Sequence, residues 1–181
     1  NNLETTRQWA TTIAEKVHDS GFNLNFAPCA DLNIETKTGA IGRLKRSFSD
    51  DPTTVVNNAT IFIEEHRKRG VFSCLKHFPG HGSAKGDTHD GFTDVSATWT
   101  PAELEPFRRL IAQKSADMVM TAHIFNKNLD PDNPGTLSKA IISGVLRDQL
   151  GWKGVVVSDD MHMGAIQKKY TNEKAIELAI L

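Results

Sequence analysis

Between Lys76 and Phe92 the stretch KHFPGHGSAKGDTHDGF gathers three of the chain's seven histidines, two aspartates and four glycines. Imidazoles and carboxylates move protons or hold metals near neutral pH. His77 and His81 are four apart, a spacing that on a helix would present two metal ligands on one face. Pro79, Gly80 and Gly82 lie among them and specify a tight turn instead. Asp87 and His89 are two apart and project to the same side of an extended backbone. The carboxylate would then hold the ring and raise its basicity, making a proton donor and acceptor. Elsewhere Lys76, His123, Asp159 and Asp160 share one property: each follows or ends an apolar stretch.

Those stretches alternate with helical patterns. Leu3, Trp9, Ile13 and Val17 recur at helical spacing until Gly21, predicting one helix and its apolar face. FNLNFAPCADL then reads as a strand ending at Pro28, followed by a polar loop with Asp31, Arg43 and Arg46. Asp51 and Pro52 open a second helix, which Gly70 ends before the strand VFSCL. Thr100, Pro101 and Glu103 have the spacing of a capping box, with Leu104, Phe107, Leu110 and Ile111 behind it and Pro106 straining the helix. The strand DMVMTAH follows. Ser138 caps a further helix closed by Gly151, GVVVS makes a fourth strand, and a last helix starts near Thr171.

Helix and strand thus alternate four times, and continuous apolar strands of this kind belong to a parallel sheet covered by helices. The class is α/β. The polar residues collect at the strand carboxyl ends, the edge where such folds bind ligands. At 181 residues the chain is short of the ~250 typical of an eight-stranded barrel, so an incomplete barrel or a small open sheet is expected. No linker or repeat divides residues 1–181, and one domain is the expected count.

A formal net charge of −1, with both signs spread along the chain, offers no basic face for nucleic acid or an anionic membrane. No apolar run has transmembrane length, and NNLETTRQWA lacks the features of a signal peptide. Cys29 and Cys74 lie in apolar stretches and are expected as buried, reduced thiols. Compartment stays open.

KHFPGHG at 76–82, DTH at 87–89, RSF at 46–48 and GVVVSDDMHM at 154–163 together resemble the β-N-acetylhexosaminidase branch of glycoside hydrolase family 3. The resemblance implies a (β/α)8 TIM-barrel fold, of which the chain covers about four βα units. It implies Asp159 as nucleophile, His89 as general acid/base with Asp87 as its partner, and Lys76, His77 and Arg46 as sugar-binding residues. No metal or cofactor is implied, and the partner would be an N-acetylglucosamine-containing oligosaccharide from cell-wall muropeptides or chitin. Thr88 stands where the branch more often has Ser. The strands before FNLNFAP and after the last helix are not in the chain, so it is expected to be inactive or weakly active alone, or to work as a homodimer or with missing segments of the same barrel. The residues alone leave open a metal-dependent hydrolase using His77, His81, His89 and Asp159, a phosphorylase, and an inactive carbohydrate-binding remnant.

Overall fold

A computed structural model describes residues 2–180. The first helix, α1 (Leu3–Asp19), is capped by Asn2, whose side chain accepts the Glu4 N–H at 2.9 Å. It packs on α2 (Pro52–Lys68), with Ala10 and Ala14 buried. This corrects the expected apolar face: Leu3, Trp9 and Ile13 lie exposed. Small side chains let the two helices approach closely, which leaves the larger ones outside the contact. In α2, Asp51 accepts the Thr53 and Thr54 N–H groups at 3.3 and 2.8 Å, and Gly70, at φ +69°, follows the helix end.

Four parallel strands form the sheet in the order β1 (Leu24–Asn25), β2 (Phe72–Phe78), β4 (Met118–Thr121) and β6 (Val155–Ser158). Regular pairing of β1 is much shorter than expected: the Ala27 N–H turns back to the Asn25 carbonyl at 2.8 Å, and Pro28 beyond it has no N–H to give. The chain nevertheless tracks β2, with Cys74 N–H donating to the Ala27 carbonyl at 2.8 Å and Ala30 N–H to the Lys76 carbonyl at 2.7 Å. That path brings Asp31 to the carboxyl end of the sheet. The peptide bonds Ala27–Pro28, Lys76–His77 and Phe78–Pro79 are cis. A second, unforeseen pair, β3 (Thr93–Asp94) and β5 (Ile124–Phe125), joins the loops beyond that end.

The capping box does not form. Thr100 makes no side-chain cap; Pro101–Leu104 is a 3₁₀ turn, and α3 runs only Glu105–Ala112. Glu103 is fully buried and accepts the Ser83 N–H at 3.1 Å, so tertiary demand overrides the local motif. Pro106 sits in the first turn of α3, where its missing N–H costs no helical bond. The expected Ser138 cap is present, accepting the Ile141 N–H at 3.0 Å ahead of the π-helix Ala140–Gln149. Two short helices, α4 (Gly164–Gln167) and α5 (Asn172–Ile180), end the described chain.

Leu75, Phe78, Val119, Phe107, Leu110, Ile141 and Leu146 fill the space between sheet and helices. Phe78 and Phe107 meet edge to face at 5.5 Å, both fully buried. β1 and β6 are the sheet edges, with Phe22, Phe72 and Val155 exposed on or beside them. Apart from His77, three histidines are buried with the core: His66, hydrogen-bonded to the Phe62 carbonyl; His123, between Thr136 and the Asp160 carbonyl; and His81. Burial holds the pKa of each below the ordinary histidine value, and for His81 burial with the neighbouring His77 lowers it to about 4.

Two outcomes follow from this packing. Phe107→Ala should cost roughly 3–5 kcal/mol, the range for deleting a buried aromatic, read as a lowered urea midpoint. Because these histidines bind protons more weakly folded than unfolded, their contribution is complete above about pH 6.5. It is lost as pH falls toward about 4, the folded value for His81. Urea midpoints measured across that window should fall steadily with acid, and replacing His81 with Gln should flatten the slope.

Candidate active site

The site is built around Asp31, whose side chain is fully buried. Its Oδ1 accepts the His81 N–H at 2.8 Å, and its Oδ2 accepts the His77 N–H at 3.1 Å, the His77 Nδ1 proton at 2.7 Å and the Cys29 thiol at 3.2 Å. Burial alone would raise this carboxyl, but the charge and hydrogen bond of His77, together with His81, hold its pKa at about 2. Asp31 is therefore ionised at every physiological pH. His77 Nδ1 gives its proton to Asp31, and Arg46 Nη2, which can only donate, approaches Nε2 at 3.2 Å, a contact that needs the neutral ring with Nε2 as acceptor.

Arg46 is held by its own loop. Its N–H donates to the Ile41 carbonyl at 2.9 Å, and the Ser47 hydroxyl donates to the Asp31 carbonyl at 2.6 Å. Asp159 enters from the other side. Its N–H extends the β4–β6 ladder by donating to the Thr121 carbonyl at 3.2 Å, and its Oδ2 lies 3.9 Å from His77 Nε2. Asp160 points elsewhere, accepting the His162 N–H at 2.9 Å, while its carbonyl meets His123. Lys76 precedes His77 on β2 and is half-buried.

The Asp87–His89 pair forms as its spacing predicts, with His89 Nδ1 2.6 Å from Asp87 Oδ1 and the ring largely exposed. Burial would raise the Asp87 carboxyl, yet two hydrogen bonds and the charge of His89 lower it overall. The loop is fastened to the chain just past Asp159: Gly164 N–H donates to the His89 carbonyl at 3.0 Å and Ala165 N–H to the Thr88 carbonyl at 3.1 Å. A Cβ on Gly164 would come within 2.7 Å of the His89 carbonyl, so this approach requires glycine. His81 Nε2 lies 3.4 Å from the Thr88 hydroxyl, between the Asp31 cluster and this loop.

The structure thus brings Arg46, His77 and Asp159 together and anchors Asp87–His89 alongside. It does not assemble His77, His81, His89 and Asp159 as a ligand set: the first two rings meet edge to face at 5.8 Å, and His81 turns to Thr88. Among the described residues, the acid, imidazole and thiol groups that converge are Cys29, Asp31 and His77. Two residues stand outside the sequence reading. Asp31 counted only as a loop residue, and its signal was its place just past the strand end at Pro28. Cys29 is half-buried and faces Asp31, and burial together with the Asp31 charge pushes its thiol well above the ordinary value; Cys74 is buried with its thiol pushed up to about 12.

Comparison with known proteins gives this constellation a family. The model of the glycosyl hydrolase family 3 N-terminal domain matches residues 1–181. A beta-hexosaminidase of Xylella fastidiosa (strain M23) is 41% identical over 168 residues, covering 91% of this chain and 48% of that protein. A glycoside hydrolase family 3 beta-N-acetylglucosaminidase from Paenibacillus sp. str. FPU-7 superimposes with a TM-score of 0.91 at 35% identity, over 99% of this chain and 34% of that one. Beta-N-acetylhexosaminidase from Beutenbergia cavernae DSM 12333 gives 0.91 at 32% identity, over 99% and 55%. The chain spans about half the length of the Xylella relative. Its parallel sheet and helices are part of a TIM-barrel-like α/β fold, and the chain belongs to glycosyl hydrolase family 3.

Proposed function

We propose that the chain carries the catalytic residues of a retaining exo-β-N-acetylglucosaminidase that releases terminal N-acetylglucosamine from muropeptides or chitin oligosaccharides. The observation that carries the reading is the meeting of Asp159 with His77 and Arg46 at the carboxyl end of the sheet, with the Asp87–His89 loop fastened to the segment behind Asp159. The names of the relatives, beta-hexosaminidase and beta-N-acetylglucosaminidase, support the same substrate class.

In this reading Lys76, His77 and Arg46 hold the hydroxyls of the terminal sugar. Asp159 attacks the anomeric carbon and forms a glycosyl ester, as a retaining enzyme requires. His89 Nδ1 is engaged by Asp87, which leaves Nε2 to exchange protons with substrate. As imidazolium, His89 protonates the departing oxygen in the first step. As neutral imidazole, it takes a proton from the water that opens the ester in the second. Asp87 stays ionised throughout, its pKa lowered by His89, and balances the imidazolium charge. A neutral histidine in the acid/base position spares Asp159 the repulsion that a second carboxylate would bring.

Asp159→Ala should abolish turnover of every substrate; normal turnover would contradict the nucleophile assignment. His89→Ala should slow hydrolysis of chitobiose, whose leaving group needs a proton, by about 10²–10⁴-fold. Nitrophenyl N-acetyl-β-glucosaminide, with its acidic leaving group, should lose far less in the bond-breaking step. Equal losses for both substrates in presteady-state measurements would remove His89 from the acid role.

A further inference from the structure

The cluster beneath the proposed sugar site has a second chemistry. We propose that Cys29, Asp31 and His77 form an inhibitory site for zinc or a softer divalent metal such as cadmium. One ligand atom from each residue lies within 4.8 Å of the other two. Cys29 Sγ is 3.2 Å, and His77 Nδ1 2.7 Å, from the same oxygen of Asp31. Metal–sulfur bonds of about 2.3 Å and metal–nitrogen or –oxygen bonds of about 2.0–2.1 Å give tetrahedral ligand separations of roughly 3.3–3.6 Å. Cys29 Sγ and His77 Nδ1 would each move away from Asp31 Oδ2 by roughly 0.3–0.7 Å to reach those separations, with water completing the fourth position.

The surroundings favour a cation there. The Asp31 carboxylate is ionised, and its Oδ1 keeps the His77 and His81 N–H groups at 3.2 and 2.8 Å, so outer hydrogen bonds hold it while Oδ2 turns to the metal. Arg46 approaches the opposite ring nitrogen, Nε2, rather than the Nδ1 side. A thiol, an imidazole and one carboxylate select zinc and cadmium over magnesium or calcium, which prefer oxygen ligands. On binding, the Cys29 thiol proton leaves to solvent, while His77 gives up its Nδ1 proton and takes one from solvent on Nε2, so the ring stays neutral.

Inhibition follows from the tautomer. With metal on Nδ1, a neutral His77 must carry its proton on Nε2, which can then no longer accept from Arg46, and the ring presented to the sugar changes from acceptor to donor. This consequence rests on the sugar-binding role proposed for His77; the metal site itself does not.

Cadmium titration of the purified protein, followed by thiolate-to-metal charge-transfer absorption in the ultraviolet, tests the site without any assay of activity. One equivalent should develop the band in the wild type and in Cys74→Ser, and none should appear in Cys29→Ser, which keeps a hydroxyl donor for Asp31 but loses the soft ligand. Circular dichroism establishes that each variant is folded. In the chitobiose assay, the zinc concentration for half-inhibition should rise at least tenfold in Cys29→Ser. Absence of the band in wild type, or its survival in Cys29→Ser, overturns the site. Equal zinc sensitivity of the two proteins overturns the inhibition. If no glycosidase turnover is found, the proposed function fails while the absorption experiment still decides the metal site.

Discussion

The Asp31 carboxylate is the constraint on which the rest of the site depends. A buried ion is costly unless its lone pairs are met, and here two backbone N–H groups, an imidazole N–H and a thiol meet them. Each partner is fixed in return. The His77 ring takes one orientation and one tautomer, the turn after β2 is pinned at His81, and the Ser47 hydroxyl ties the arginine loop to the Asp31 carbonyl. A charge that would be a liability in an apolar core becomes the device that aligns three segments far apart in sequence.

The parallel sheet explains why those segments converge. The main chain after β1 tracks β2 as far as Ala30, placing Asp31 beside His77; the β4–β6 register pairs Thr121 with Ser158, so that Asp159 follows directly and lies within reach of the same ring. No strand carries the site by itself. The Asp87–His89 loop is fastened differently, by hydrogen bonds from the residues following Met163 and by a close approach that only Gly164 allows. The chain just past Asp159 thus also holds the loop that carries His89.

How much of this could be read beforehand depends on how local each feature is. The Asp51 and Ser138 caps, the stops near Gly70 and Gly151, and the pairing of Asp87 with His89 are set by neighbours a few residues away, and all were legible. Glu103 has the same local signature as a capping residue, yet the buried Ser83 N–H claims its carboxylate. The α1 face failed for a similar reason: Trp9 and Ile13 have helical spacing, but the buried side chains of α1 are Ala10 and Ala14, and Thr6, Arg7 and Thr11 bond across to α2. Asp31 could not be ranked above its neighbours, since two of its partners lie 46 and 50 residues away. The roles proposed for Asp159 and His89 come from family resemblance, since spacing alone left them open.

The central claim is that Asp31 and His77 act as one unit in holding the sugar beside Asp159. Calorimetric binding of N-acetylglucosamine to wild type, Asp31→Asn, His77→Gln and the double variant, each shown to be folded by circular dichroism, tests it most directly. The account predicts that either single change loses most of the affinity and that the double variant binds about as well as the weaker single one, the signature of strong coupling. Losses that simply add, or full affinity in a folded Asp31→Asn protein, would contradict it.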